Sequence, residues 1–423
     1  MAGKIAYITL GCKLNFAETS TYARQFSAEG YETVPGNSPA DIYVVNTCSV
    51  TEHADKKCRN LIRRLHKLSP GAIIAVTGCY AQLQPQQILD IEGVDVVVGA
   101  QDKPRLVELV HELETERQKM ICHTELKDIK SFFPAYSTGE RTRSFLKVQD
   151  GCNYFCSYCT VPYARGASRN IPIAELVKQA EAAAATGIRE IVITGVNTGD
   201  FGRTTGESFL DLLKALNGVE GIERYRISSI EPNLLTEEII DWIATGTKFL
   251  PHFHIPIQSG CDRTLKEMHR RYTTEMFSEK IALIRRKLES PQELGTRVFI
   301  GIDVIVGFPG ESDEDFEQTY SLLERLQPAF LHIFPYSRRG GTPAAARTDQ
   351  VQESVKSARE AQLQALCDRL HSEFIRANSG RTLPVLFESK VIGGRMFGYT
   401  DNYIKVERPY DRSLIGKVVD VKL

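Results

Sequence analysis

The feature that most constrains this chain is a rhythm. Short, apolar, β-branched runs at residues 4–10, 41–46, 72–77 and 94–98 alternate with helical patterns at 15–29, 51–68 and 104–116. Strands this uniformly apolar are buried on both faces, which a parallel sheet covered by helices on each side provides. A flavodoxin-like, doubly wound α/β domain is therefore expected over residues 1–126, with Thr51 as a candidate cap of its second helix. Residues 127–143 break the rhythm with Pro, Gly, Ser and charge and read as a linker. The alternation then resumes on a longer beat, with strands expected at 145–148, 190–194, 224–230, 253–257, 297–306 and 330–335. Those β-α units make a partial (βα)6 barrel over residues 144–368, with chemistry expected on the loops after the strands. A long charged helix at 350–377 leads into an all-β tail with strands at 382–388, 403–407 and 414–421, broken by Gly393-Gly394, Gly398 and Pro409. Residues 369–423 are expected to form a small barrel-like third unit.

Composition narrows the function classes. A chain of 423 residues is too long for one ordinary domain, and 42% hydrophobic with 25% charged residues is a globular balance rather than a disordered one. No apolar run approaches the roughly 18–20 residues that span a bilayer, and the N-terminus lacks a secretory apolar segment, so a cytoplasmic protein with no membrane partner is expected. The net charge of -1 confines any nucleic-acid surface to a local patch. Two patches qualify. Residues 56–67 carry Lys56, Lys57, Arg59, Arg63, Arg64 and Lys67 with no acid, a pattern that usually means a solvated face and alternatively a phosphate-binding one. Residues 369–423 hold 10 Lys+Arg against 6 Asp+Glu, and small β barrels bind nucleic acid repeatedly. Removing residues 380–423 is expected to weaken RNA binding and leave the other domains folded.

Ten cysteines in such a chain point to metal or catalysis before disulfides. Cys152, Cys156 and Cys159 form a C-x3-C-x2-C set directly after an expected strand. An iron–sulfur cube normally takes four thiolates, so three clustered ones leave one iron open. Zinc sites favour paired C-x2-C motifs, and no second pair lies nearby. Cys12, Cys48 and Cys79 are far apart in sequence, yet each stands at the carboxyl end of a different expected strand. In an open parallel sheet those ends converge on one crevice. Each alone reads as a buried small hydrophobe, whereas together they read as a second three-thiolate set. His252, His254, Cys58, Cys122 and Cys367 read as structural.

The spacing Cys152-Cys156-Cys159 atop the first strand of a partial barrel resembles the radical S-adenosylmethionine superfamily. More specifically, Thr9-Leu10-Gly11-Cys12-Lys13-Leu14-Asn15, Asn46-Thr47-Cys48 and Thr77-Gly78-Cys79-Tyr80-Ala81-Gln82 resemble the N-terminal domain of the methylthiotransferases. Pro162-Tyr163-Ala164-Arg165-Gly166, Pro256-Ile257-Gln258-Ser259-Gly260 and the run from Gly301 to Glu311 are similar to the same family's central domain. The stretch Gly398 to Val406 resembles its RNA-binding TRAM domain. Cys261 departs from the family's usual serine and is expected not to ligate.

The resemblance implies two 4Fe-4S clusters, on Cys152, Cys156, Cys159 and on Cys12, Cys48, Cys79, with S-adenosylmethionine as cofactor. The superfamily packs an aromatic against adenine where Tyr158 stands, although plain core packing is the alternative. It also places Gly195, Asn197, Ser229, Glu231, Gln258 and Gly307 near the methionine, ribose and adenine, with a turn role as the alternative for each glycine. The wording around Cys12, including Glu18, is most similar to the subclass that acts on N6-threonylcarbamoyladenosine of tRNA. The implied activity is transfer of a methylthio group to C2 of that nucleoside at position 37, next to the anticodon. One S-adenosylmethionine would give the methyl group and another the 5′-deoxyadenosyl radical; tRNA, an external electron donor and a sulfur source are the implied partners. Alternatives are the N6-isopentenyladenosine enzyme, the enzyme of an aspartate in ribosomal protein uS12, and a non-catalytic iron–sulfur RNA-binding protein.

Overall fold

The computed structural model describes residues 3–49, 52–139, 142–293 and 295–423; Thr51 and two residues of the expected linker lie outside them. The N-terminal sheet runs, in spatial order, Glu32–Val34, Lys4–Thr9, Ile42–Thr47, Ile73–Gly78, Val94–Val98 and Met120–Cys122, every pairing parallel. The apolar strand runs explain it, because alternate residues feed two cores. Tyr43, Val45, Ile74 and Val76 pack under helix Glu52–Leu68, while Val44, Ala75 and Val96 pack under helix Lys13–Ala28. The doubly wound expectation holds. The two edge strands were not expected, because at three residues each they are too short to show a period.

Six parallel strands then form the partial barrel. Arg143–Lys147, Glu190–Thr194 and Arg224–Ile227 make one three-stranded sheet; His252–His254, Phe299–Val306 and Phe330–Pro335 make another. Parallel bridges Tyr225 to Phe249 and Ser229 to His254 join them into one curved wall. Among the described residues no pairing connects the first strand with the last, so one side stays open. Helix Lys13–Ala28 docks beside that first strand, with the rings of Phe16 and Phe145 5.7 Å apart, edge to face. Helix Glu353–Ala377 is continuous and packs Leu363, Leu366, Cys367 and Leu370 into the main core.

The tail is an antiparallel sheet in the order Lys405–Pro409, Arg395–Thr400, Thr382–Ile392, Val418–Lys422. Gly398 does not break a strand, as the sequence led us to expect. It lies inside one, where an added Cβ would come within 2.6 Å of Val385 Cγ1. The tail also docks on the barrel. Arg226, a fully buried side chain of the barrel, donates to the carbonyls of Asp401 (2.8 Å) and Thr400 (2.7 Å), and Arg297 pairs with the Asp401 carboxylate. Removing residues 380–423 would hand those donors to water, with Arg226 still paired to Glu190 (2.8 Å). Among the described residues no helix is long and apolar enough to cross a membrane.

Candidate active site

The first three strands of the doubly wound sheet to carry a cysteine at their ends are spatial neighbours, and helices leave them toward opposite faces. This is a topological switch point, where a crevice opens. Cys48 and Cys79 follow their strands immediately, and Cys12 opens helix Lys13–Ala28. Gly11, at φ 114°, is required here: a Cβ on it would stand 2.9 Å from the Cys48 sulfur. Arg165, from the barrel, acts on both Cys12 and Cys79. Cys12, Cys48 and Cys79 thus all stand at the carboxyl end of this sheet, on three neighbouring strands.

Behind them lies a buried ionic cluster. Glu18 accepts from Lys103 (2.6 Å), Lys147 (2.8 Å) and Arg165 (3.1 Å). Asp150 pairs with Lys147 (2.6 Å), Arg165 (2.9 Å) and Arg169 (3.5 Å). Burial alone would raise the Glu18 carboxyl, but Lys103, Lys147 and Arg165 outweigh it and hold it far below the usual carboxylate range. Four cations face two carboxylates, an excess of positive charge beside Cys12 and Cys79. Burial nevertheless pushes the Cys79 thiol up, with Arg165 and Lys103 opposing that shift.

Cys152, Cys156 and Cys159 occupy the loop after the first barrel strand. Gly151 opens it at φ 73°, where a Cβ would collide with the Ala167 carbonyl at 2.1 Å. Burial pushes the Cys152 thiol up to about 11 and that of Cys159 up to about 12. Arg270 donates to the Cys156 sulfur (3.0 Å) and pairs with Glu231. Tyr158 packs edge to face with Phe308 and lies 3.5 Å from Arg270 Nη1 through its hydroxyl. Gln149 accepts from the amides of Val196 and Asn197 (both 2.9 Å), and Gly195 leaves room for it. Neither amide atom of buried Asn197 makes a hydrogen bond of ordinary geometry, although Tyr154 lies close enough to interact. The Ser229 carbonyl accepts from Thr198 (3.0 Å) and Gln258 pairs its backbone with Asp303 and Ile305. Gly307 is explained differently: its missing side chain admits Lys356 of the long helix, within 2.3 Å of where a Cβ would be.

A cavity of about 750 Å³ extends from Gly11 and Cys12 through the open side of the barrel to Tyr399 and Tyr403 of the tail.

The chain is similar to known proteins along its length. Residues 4–99 match the uncharacterized protein family UPF0004, and residues 146–323 match the radical SAM superfamily. It is 40% identical over 429 residues to the threonylcarbamoyladenosine tRNA methylthiotransferase MtaB of Bacillus subtilis, covering 99% of this chain and 93% of that one. It is 34% identical to the tRNA-2-methylthio-N(6)-dimethylallyladenosine synthase of Alkaliphilus oremlandii, covering 99% and 90%. This chain is a radical SAM tRNA methylthiotransferase. In fold it is similar to the radical S-adenosylmethionine methyltransferase TsrM of Kitasatospora setae, at TM-score 0.58 and 16% identity over 82% of this chain and 77% of that one.

Radical SAM enzymes use S-adenosylmethionine with a 4Fe-4S cluster, and thiols are the donors that such a cluster takes. A cube of four irons spreads its thiolates more widely than one ion does. Among the described residues, the one group tight enough for a single ion is His254, Asp303 and His332, within 4.8 Å of one another. Cys261 donates to Asp315 (3.1 Å) and Cys367 bonds the Leu331 backbone, as expected of structural thiols. His254, read from sequence as structural, instead faces the cavity and shares a 2.6 Å hydrogen bond with Asp303. Sequence reasoning also missed the roles of Lys147, Arg165 and Arg270. One usable signal existed: Lys147 and Asp303 are charges inside otherwise apolar strand runs.

Proposed function

We propose that the chain transfers a methylthio group to C2 of N6-threonylcarbamoyladenosine at position 37 of tRNA, in the cytoplasm. The observation that carries this reading is the pair of three-thiol sets on separate domains, held against each other through Arg165 and Glu18, in a chain 40% identical to an enzyme named for that nucleoside. Cys152, Cys156 and Cys159 would hold one 4Fe-4S cluster; Cys12, Cys48 and Cys79 would hold the other. When bound, the clusters and S-adenosylmethionine supply the 5′-deoxyadenosyl radical, the methyl group and a place for the sulfur to be transferred. An external electron donor and a sulfur source complete the reaction.

The chain's own residues do the rest. Arg270 bridges Cys156 and Glu231 and so orients the radical site. Phe16 and Phe145 meet edge to face where helix Lys13–Ala28 covers the open barrel side. Lys56, Lys57, Arg63, Arg64 and Lys67 on the first domain, and Lys390, Arg408, Arg412 and Lys417 on the tail, are exposed and suit phosphate contacts. An exposed basic tail favours RNA over the basic ribosomal protein as substrate. RNA enzymes of this kind read unpaired loops, whose bases can be turned out into a pocket.

Mass spectrometry of tRNA nucleosides from a deletion strain tests the reading. The methylthiolated threonylcarbamoyladenosine should vanish, its unthiolated precursor should accumulate, and methylthio-isopentenyladenosine should be unchanged. Loss of the isopentenyl product instead would move the substrate to the other subclass. A Cys12→Ala/Cys48→Ala/Cys79→Ala variant should still form 5′-deoxyadenosine and insert no sulfur. Normal thiolation by it would reduce the first domain to a scaffold.

A further inference from the structure

The cavity beside Cys12 has a chemistry of its own. Its walls are flat and aromatic, with Phe16, Phe145, Phe299, Phe330, Tyr399 and Tyr403 around it, which suits a stacked base. Its volume of about 750 Å³ has room for a nucleoside larger than adenosine.

Most of the cations that line it are already engaged. Arg143 pairs with Glu388 (2.8 Å), and Arg226 pairs with Glu190 (2.8 Å) and the tail carbonyls. Lys405 lies over the Phe397 ring at 4.1 Å. His254 shares its hydrogen bond with Asp303. His252 is stacked on Phe299 and kept neutral by burial and by Arg226, while burial and His254 also lower His332. Lys13 differs. Its side chain lines the cavity, and among the described residues it makes no hydrogen bond or ion pair, although the Asp303 carboxylate acts on it from farther away. An ammonium in a cavity without a direct ion pair is costly, and an anionic ligand group reduces that cost through a charge-assisted hydrogen bond.

We propose that this cavity seats the modified nucleoside, with the free carboxylate of its amino-acid side chain against the Lys13 ammonium and its base between the aromatic walls. The inference rests on the threonylcarbamoyladenosine reading above. It also brings the reacting atom to the right end of the cavity. An N6-carbamoyl amino acid can close an internal N–H···N1 hydrogen bond, which swings its carboxylate toward the C2 edge of the base. Lys13 adjoins Cys12, so carboxylate and C2 would both lie at the end where the first-domain cysteines stand. Lys13 is thus a specificity-determining residue that separates an acidic N6 group from an apolar one.

The test uses the full-length, iron-loaded chain and an anticodon stem-loop carrying either the free acid or its methyl ester, which removes the charge and keeps the shape. Wild type should bind the acid at least tenfold more tightly than the ester, about 1.4 kcal/mol. In Lys13→Met the acid should lose about tenfold in affinity, the ester should change by less than about threefold, and the ratio should approach one; Lys13→Arg should restore most of the preference. Iron content, measured alongside, separates a lost contact from a damaged cluster site. Equal binding of acid and ester by wild type would overturn the inference without any variant. So would a preference that survives Lys13→Met and collapses in His332→Ala, which would move the carboxylate to the histidine pair. If wild type methylthiolates acid and ester equally well, the proposed function stands and this inference falls. If it methylthiolates neither, the proposed function itself falls.

Discussion

Replacing Cys152, Cys156 and Cys159 together with alanine is expected to abolish S-adenosylmethionine cleavage while leaving about half of the roughly eight irons that two four-iron clusters contribute per chain. The three side chains share one loop, and Arg270 ties that loop through Cys156 to Glu231 on another strand end. Cys12, Cys48 and Cys79 stand at strand ends of a different sheet, so iron held there should remain. Iron assay and chromatography of 5′-deoxyadenosine read the two quantities separately. Continued formation of 5′-deoxyadenosine by this variant would remove the loop from the radical chemistry.

The largest effect on stability is expected at Glu18. Its carboxylate is fully buried and faces Lys103, Lys147 and Arg165, three cations from three separate segments. Glu18→Ala leaves that positive charge uncompensated, and breaking a buried pair in this way costs about 3–5 kcal/mol. Chemical denaturation of the metal-free chain should show the loss. A change within about 0.5 kcal/mol would mean that the cluster is not what holds the first domain to the barrel. The pH dependence has a definite sign. A carboxyl depressed in the folded chain contributes stability above its unfolded pKa of about 4.3 and loses it as pH falls through the folded value. The Glu18 and Asp150 carboxyls are both held far below the usual range, their cations outweighing the opposing effect of burial. The contribution should therefore be flat from pH 7 to about pH 5 and decline only in stronger acid, and Glu18→Ala should weaken that acid decline.

Local pattern decided a good deal of this protein. The strand Val94–Val98 and the barrel strands Glu190–Thr194 and Phe330–Pro335 fall where apolar, β-branched runs put them. Positions of the cysteines relative to strand ends were legible for the same reason, since in a parallel sheet the carboxyl ends share one side. That Cys12, Cys48 and Cys79 stand on the same side of the sheet followed once the sheet was parallel. The edge strands and Gly398 were not legible, because three residues carry no period and a glycine in a strand looks like a break until its neighbour is known.

Tertiary structure alone decided which charges meet. Glu18, Lys103, Lys147 and Arg165 are separated by up to 147 positions, and no periodicity links them. Only the docking of helix Lys13–Ala28 on the first barrel strand brings them together. The same docking brings Lys13 to the cavity, while the pairing of three barrel strands gives His254, Asp303 and His332 a common space. The tail behaves alike: its basic composition is visible in the chain, but the insertion of Thr400 and Asp401 against Arg226 is not. Hydrophobic period is a local property that each segment carries by itself, whereas a buried ion pair exists only once separate segments have excluded water around it.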